Sequence, residues 1–158
     1  MSLPRLYLET TVPSYLTARR SGNLQLAADQ QTTEDWWNHH RQHYECLVSP
    51  VVVDEIARGD ASFAAARLAQ LAGFPVLPVD DAAQQLTVRL LEEGIIPAIA
   101  AADAAHLGIA AAHKVDFLLT WNCKHINNPH LIRRIERACA AAGLTCPIIC
   151  TPAELMIP

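Results

Sequence analysis

The sequence predicts an α/β fold in which a parallel sheet of five short strands is covered by helices on both faces. Three observations carry this. Short apolar runs alternate with helix-length patterns along the chain, the signature of strand–helix–strand units. Glycine, proline and small polar residues separate these runs at positions suited to caps and turns. Finally, 158 residues, 51% of them hydrophobic and 18% charged, form a single domain over 1–158. A chain of that size buries its own core without a disulfide or structural metal, and its composition excludes intrinsic disorder.

Arg5-Leu6-Tyr7-Leu8 reads as the first strand, with Pro13 after it as a turn or helix start. Gln25 to Tyr44 reads as a polar helix whose buried side is Trp36 and Trp37. Cys46-Leu47-Val48-Ser49 is the second strand. Ser49 then suits an N-cap and Pro50 a first helical position, so Val51 to Arg58 is a helix stopped by Gly59. Ser62 to Ala72 is a helix ended by Gly73, and Val76 to Val79 a third strand between prolines. Asp80 and Asp81 open a helix running to Glu93, ended by Gly94. Pro97 precedes an alanine-rich helix that stops near Lys114. Asp116 to Thr120 is the fourth strand, Pro129 to Ala142 a helix closed by Gly143, and Pro147 to Cys150 the fifth strand.

Composition excludes several classes. No apolar run reaches the roughly 18–20 residues of a membrane helix, and the start of the chain lacks the apolar core of a secretory signal. The stretch from Ala98 to Ala112 is interrupted by Asp103 and His106, so it reads as a buried globular helix. Five cysteines, an odd number with no C-x-x-C pair, argue against a disulfide framework or cysteine zinc site and fit a reducing cytoplasm. A net charge of −4 is unlike a histone-type coat for nucleic acid. Its distribution is uneven: from Glu45 to Asp116 there are ten acids and four bases, and from Phe117 to Pro158 four bases and two acids. An acidic metal pocket beside a phosphate-binding surface, or solvated helix faces, both fit.

In a parallel sheet the usable crevice lies beyond the carboxyl ends of the strands. Glu9, Thr10 and Thr11 follow the first strand, and Thr120, Trp121 and Asn122 end the fourth. Glu55 interrupts an apolar segment after the second strand, and Asp103 sits near the start of the alanine-rich helix. Each acid alone reads as a cap or an exposed charge; the set is more informative. Two charges about 5 Å apart repel by roughly 3 kcal/mol at an effective dielectric of 20. Such a cluster persists by holding a proton, a cationic side chain or a metal. All-oxygen ligands favour Mg²⁺ or Mn²⁺, which lower the pKa of a bound water and stabilise charge on a phosphodiester.

On the segments Tyr7-Leu8-Glu9-Thr10-Thr11-Val12-Pro13-Ser14-Tyr15, Glu55 after Ser49-Pro50, Asp103-Ala104-Ala105-His106-Leu107 and Asp116-Phe117-Leu118-Leu119-Thr120-Trp121-Asn122, the chain resembles the PIN-domain family, in particular the VapC-type toxins of bacterial toxin–antitoxin pairs. The resemblance covers nearly the whole chain. It implies a three-layer α/β/α sandwich with a five-stranded parallel sheet, Mg²⁺- or Mn²⁺-dependent endoribonuclease activity on RNA, homodimers, and an antitoxin covering the acidic pocket. Carried over by position, Glu9 stands where the family usually has aspartate, and Glu55 and Asp103 match the second and third acids, which makes these three the metal ligands. Thr10 and Thr120 match hydroxyl residues beside the pocket. Asn122 stands where many members have a fourth acid, which keeps an oxygen but removes a charge. Asp116 begins its strand and reads as a structural acid.

His39 and His43 are four apart on one predicted helix face, a spacing zinc can use, but the surrounding helix is polar and reads as solvated. Cys123 and His125 follow Asn122 closely enough to face the pocket, without the partners a cysteine nucleophile requires. Cys146 and Cys150 read as small core residues. Arg133, Arg134 and Arg137 share a helix face that contacts RNA phosphates or only water. Trp36 and Trp37 read as core or dimer packing. The leading expectation is a metal-dependent ribonuclease. The alternative is a PIN-like RNA- or protein-binding module weakened in catalysis, with a zinc hydrolase on His39, His43 or Cys123 a distant third.

Overall fold

A strand whose successive side chains are all apolar needs cover on both faces. In the computed structural model, which describes residues 2–156, Leu6, Tyr7 and Leu8 of β1 (Arg5–Leu8) are fully buried. Successive side chains point to opposite faces, so the sheet is covered on both, as expected of a three-layer fold. Met1, Ile157 and Pro158 of the expected 1–158 domain lie outside the described residues.

β1 pairs in parallel with β2 (Glu45–Leu47) on one side and with β3 (Phe117–Leu119) on the other, and β4 (Ile148–Cys150) flanks β3. The order is β2-β1-β3-β4. Tyr7 lies opposite Leu47 and Leu118. The chain leaves β1 toward one side of the sheet and returns on the other, so the switch point at which such sheets bind ligands lies at the carboxyl ends of β1 and β3.

The five-strand expectation is corrected: the sheet has four strands. The segment expected as a strand over Val76–Val79 contributes one parallel bridge, Val76 to Val48, with Val48 N–H donating to the Pro75 carbonyl and Leu77 N–H to that of Val48. Pro75 and Pro78 flank this bridge without an N–H to extend the ladder.

Seven α-helices occur among the described residues. α1 (Thr11–Thr17) realises the helix start expected at Pro13, which occupies the first turn, where a missing N–H costs no intrahelical bond. α2 (Leu24–His39) is shorter than the expected Gln25–Tyr44. His40 leaves helical geometry at φ −122° and a 3-10 turn, Arg41–His43, follows. Trp36 and Trp37 are buried as expected. α3 (Pro50–Ile56) starts as read, with the Ser49 hydroxyl accepting from Val52 N–H. α4 (Ala61–Leu71), α5 (Asp81–Glu92) and α7 (Pro129–Ala141) are capped by Asp60, Asp80 and Asn128. α6 (Ala101–Ala112) follows a 3-10 turn, Ala98–Ala100.

α6 carries Asp103 and His106, and its placement depends on how near α5 it lies. A Cβ on Gly108 would collide with the Thr87 hydroxyl and stand 2.5 Å from the Ala83 carbonyl oxygen. The carbonyl belongs to the α5 backbone and cannot rotate away. Gly108→Ala should therefore force the two helices apart and destabilise the chain by about 1–3 kcal/mol, the usual range for overpacking. A lowered urea midpoint would show it; an unchanged midpoint would mean that the interface yields without cost.

Candidate active site

Glu9 directly follows β1. Its N–H donates to the Leu119 carbonyl at 3.1 Å, extending the β1–β3 ladder by one bond. The side chain is 3% exposed. Its Oε1 accepts three hydrogen bonds: from Thr11 N–H at 3.2 Å, the Thr11 hydroxyl at 2.5 Å and the Thr120 hydroxyl at 2.6 Å. Thr120 follows β3, so the two strand ends are joined through this carboxylate. Among the described residues no donor is recorded on Oε2, and no lysine or arginine pairs with Glu9.

Glu55 reaches the same place from the last turn of α3. Its Oε1 accepts from the Thr10 hydroxyl at 2.6 Å and from His106 Nε2 at 2.5 Å. His106 is fully buried. Its Nδ1 lies 2.7 Å from the Tyr7 hydroxyl, which is 2.7 Å from the Ser49 hydroxyl. Hydrogen-bond stoichiometry orders the ends of this chain. An ionised carboxylate only accepts, so Nε2 carries a proton and donates to Glu55, and at the far end the Ser49 hydroxyl accepts from Val52 N–H. Burial holds the Tyr7 phenol far above its ordinary pKa, so it remains a donor. Burial pushes the Glu55 carboxyl upward, but the bonds and charge of His106, the Thr10 bond and the charge of Arg58 together bring it below its usual value.

Asp103 stands in the first turn of α6. Its Oδ2 lies 2.9 Å from His125 Nδ1. Asn122 is close by in the chain: its Oδ1 accepts from Lys124 N–H at 3.2 Å and His125 N–H at 3.0 Å, and its own N–H donates to the Thr120 hydroxyl at 2.9 Å. The Asn122 oxygen therefore closes the turn that delivers His125 to Asp103.

Ligand-type atoms of Glu9, Glu55 and His106 lie within 4.8 Å of one another. The fold thus brings together two of the three acids read from sequence, with Thr10 and Thr120 bonded to them. Asp103 is outside that group, on α6, where it pairs with His125 of the Asn122 turn. Sequence reading assigns His106 no role, although it lies three residues after Asp103 in an otherwise apolar helix, and it sets His125 near enough to face the pocket without giving it a partner. His39 and His43 are exposed, one ending α2 and the other in the 3-10 turn, and Cys123 is exposed. Asp116 accepts from Arg5 N–H at the opposite end of the strands, at 2.7 Å.

No family model matches the chain, and no curated protein matches it. Among solved structures it is similar to the crystal structure of VapBC2 from Rickettsia felis bound to a DNA fragment from their promoter. The identity is 15%, the match covers 92% of this chain and 97% of that chain, and the TM-score is 0.54. At that identity the likeness is one of fold.

The lowered Glu55 pKa fixes the sign of an acid effect. A carboxyl whose folded pKa lies below its unfolded value of 4.5 adds stability above that value and loses it as pH falls through the folded pKa. In chelator, Glu55→Gln should be less stable than wild type at neutral pH, with the gap closing as the pH is taken below about 4.5. Urea midpoints across that range measure it; a gap independent of pH would contradict the arrangement.

Proposed function

We propose that the chain is a divalent-metal-dependent endoribonuclease of the PIN type, and the toxin of a toxin–antitoxin pair. One observation supports this above others. Glu9, 3% exposed, stands beside Glu55 at the carboxyl ends of β1 and β3, with no lysine or arginine to balance it among the described residues. An ion so far from water is costly unless its charge is met. The three bonds to Oε1 meet part of that cost and leave Oε2 open.

The donor set fits a hard cation. Glu9 and Glu55 would hold Mg²⁺ or Mn²⁺ through carboxylate oxygens, with Asp103 as the third acid through the oxygen that His125 leaves free. When bound, such an ion lowers the pKa of a coordinated water and neutralises charge on a phosphodiester. The chain's own contribution is orientation. Thr11 and Thr120 fix Glu9; Thr10 and His106 fix Glu55; His125 fixes Asp103. Asn122 supports this side of the pocket by holding the His125 turn, and its Oδ1 is already committed to two backbone amides.

That commitment also favours a second reading, a PIN-like RNA- or protein-binding module with weakened catalysis, because it leaves three acids instead of four. The partners proposed with the leading reading are an RNA substrate, an antitoxin over the pocket and a second copy of the chain as homodimer. The VapBC2 neighbour supports the antitoxin by analogy. Among the described residues no helix is long and apolar enough to cross a membrane, and a cytoplasmic location is proposed.

Purified protein should cleave RNA in Mn²⁺ and stop in chelator. Asp103→Asn should reduce the rate well beyond tenfold while the circular dichroism spectrum stays unchanged. Retention of more than about a tenth of the rate, only ~1.4 kcal/mol of barrier, would remove Asp103 from the site. RNA binding without cleavage in any divalent ion would favour the second reading.

Asn122→Asp gives an independent measure. Aspartate can keep the two cap bonds with one oxygen and place an anionic oxygen where asparagine has its amino group. Mn²⁺ affinity should rise by calorimetry, because hard cations gain affinity with ligand charge. Melting in chelator should move the other way, since a further carboxylate joins the cluster. No change in either quantity would place Asn122 outside the pocket.

A further inference from the structure

Two aromatic rings beside the Glu9 carboxylate have no part in the site so far. Tyr15 lies on α1, one turn beyond Thr11, and Trp121 follows Thr120. Their rings are nearly parallel, 10° between planes, with centroids 5.7 Å apart. Parallel rings in contact stand about 3.5–4 Å apart, so these two have slid past one another by about 4 Å. The result is a step in which each ring covers only part of the other's face. Both residues are partly exposed, unlike Trp36 and Trp37 in the core.

The step is held rigidly. Trp121 Nε1–H donates to the Thr33 hydroxyl at 2.7 Å, and Thr33 is fully buried and donates to the Asp29 carbonyl at 2.6 Å. The Trp121 backbone N–H donates to the Thr11 hydroxyl at 2.8 Å. That same hydroxyl donates to Glu9 Oε1 at 2.5 Å. One oxygen therefore separates the aromatic step from the buried carboxylate. Lys124, three residues beyond Trp121, is exposed and has no ion pair among the described residues, which leaves a cation for a neighbouring phosphate.

We infer that Tyr15 and Trp121 form a nucleobase-stacking subsite, which takes one base of single-stranded RNA and sets the adjoining phosphodiester over the Glu9–Glu55 pocket. This rests on the ribonuclease reading and adds a positioning element to it. Every base has a π-face, so such a subsite tolerates sequence while excluding double-stranded RNA. A surface already locked by hydrogen bonds loses little freedom when the base arrives.

The full chain in Ca²⁺ is titrated with octaadenylate and with an octamer of abasic ribose-phosphate spacers. Wild type should prefer the adenylate by roughly 5- to 150-fold, the range of one stacked base. Tyr15→Leu should lose most of that preference and keep its affinity for the spacer octamer, while Tyr15→Phe, which retains the ring, should keep the preference. A spacer octamer carrying one 2-aminopurine gives a reading that needs no variant: its fluorescence should fall on binding to wild type. Undiminished preference in a folded Tyr15→Leu chain, no preference in wild type, or no quenching would each overturn the subsite. Cleavage in Mn²⁺ is scored separately. Cleavage without base preference defeats the subsite alone, whereas base preference without cleavage defeats the ribonuclease reading and leaves the stacking surface standing.

Discussion

A carboxylate buried at the end of the central strand sets the terms for the residues around it. The Glu9 backbone is tied to Leu119 and its side chain is 3% exposed, so its charge must be met where it lies. Hydroxyls from the start of α1 and the end of β3 do this on one oxygen. Glu55 raises the same problem from α3, and His106 and Thr10 answer it. His106 then needs an acceptor or donor of its own in a dry interior, and Tyr7 in the middle of β1 provides it. Tyr7 in turn requires Ser49, the cap of α3. The path closes on itself: strand, cap, helix, carboxylate, imidazole and strand again. Networks of this kind are strong when complete and costly when one member is missing.

Packing serves the same end. α6 contributes both His106 and Asp103, and the close approach at Gly108 sets its distance from α5. The glycine's role is geometric: it lets one helix lie near enough for an imidazole to reach Glu55. The alanines beside it act in the same sense, since Ala104, Ala110 and Ala111 are all buried.

Much of this was legible in the chain because local signals and burial agree. Glu9, Thr10 and Thr120 follow apolar strands, so strand direction alone puts them at one edge. Ser49 and Pro50 announce α3, and with it the placement of Glu55. Other features depend on contacts between distant segments. A histidine in an alanine-rich helix looks the same from sequence whether it is solvated, structural or functional; only Tyr7 and Glu55, 99 and 51 residues away, distinguish these. The pairing of His125 with Asp103 spans 22 residues and has no periodicity to reveal it. The Val76 segment has strand composition, but composition does not count N–H groups, and the prolines on either side remove them. The helix read through Tyr44 ends at His39 because the tight turn that feeds β2 outweighs the helical preference of a polar stretch.

Those same prolines have a consequence for how copies of the chain can meet. Beyond β2, the bridge uses the Pro75 carbonyl and Leu77 N–H inward, so the Val76 N–H and carbonyl are what this margin can offer outward. The other margin, β4, is a regular strand with an open side, and Ile148 at its start is 61% exposed. Exposed strand margins invite pairing between molecules. A sheet with two open margins can add copies without end, whereas a sheet with one can add a single copy and stop. The proline pair makes the two margins unequal in this respect: one offers a strand to another molecule, the other a single residue.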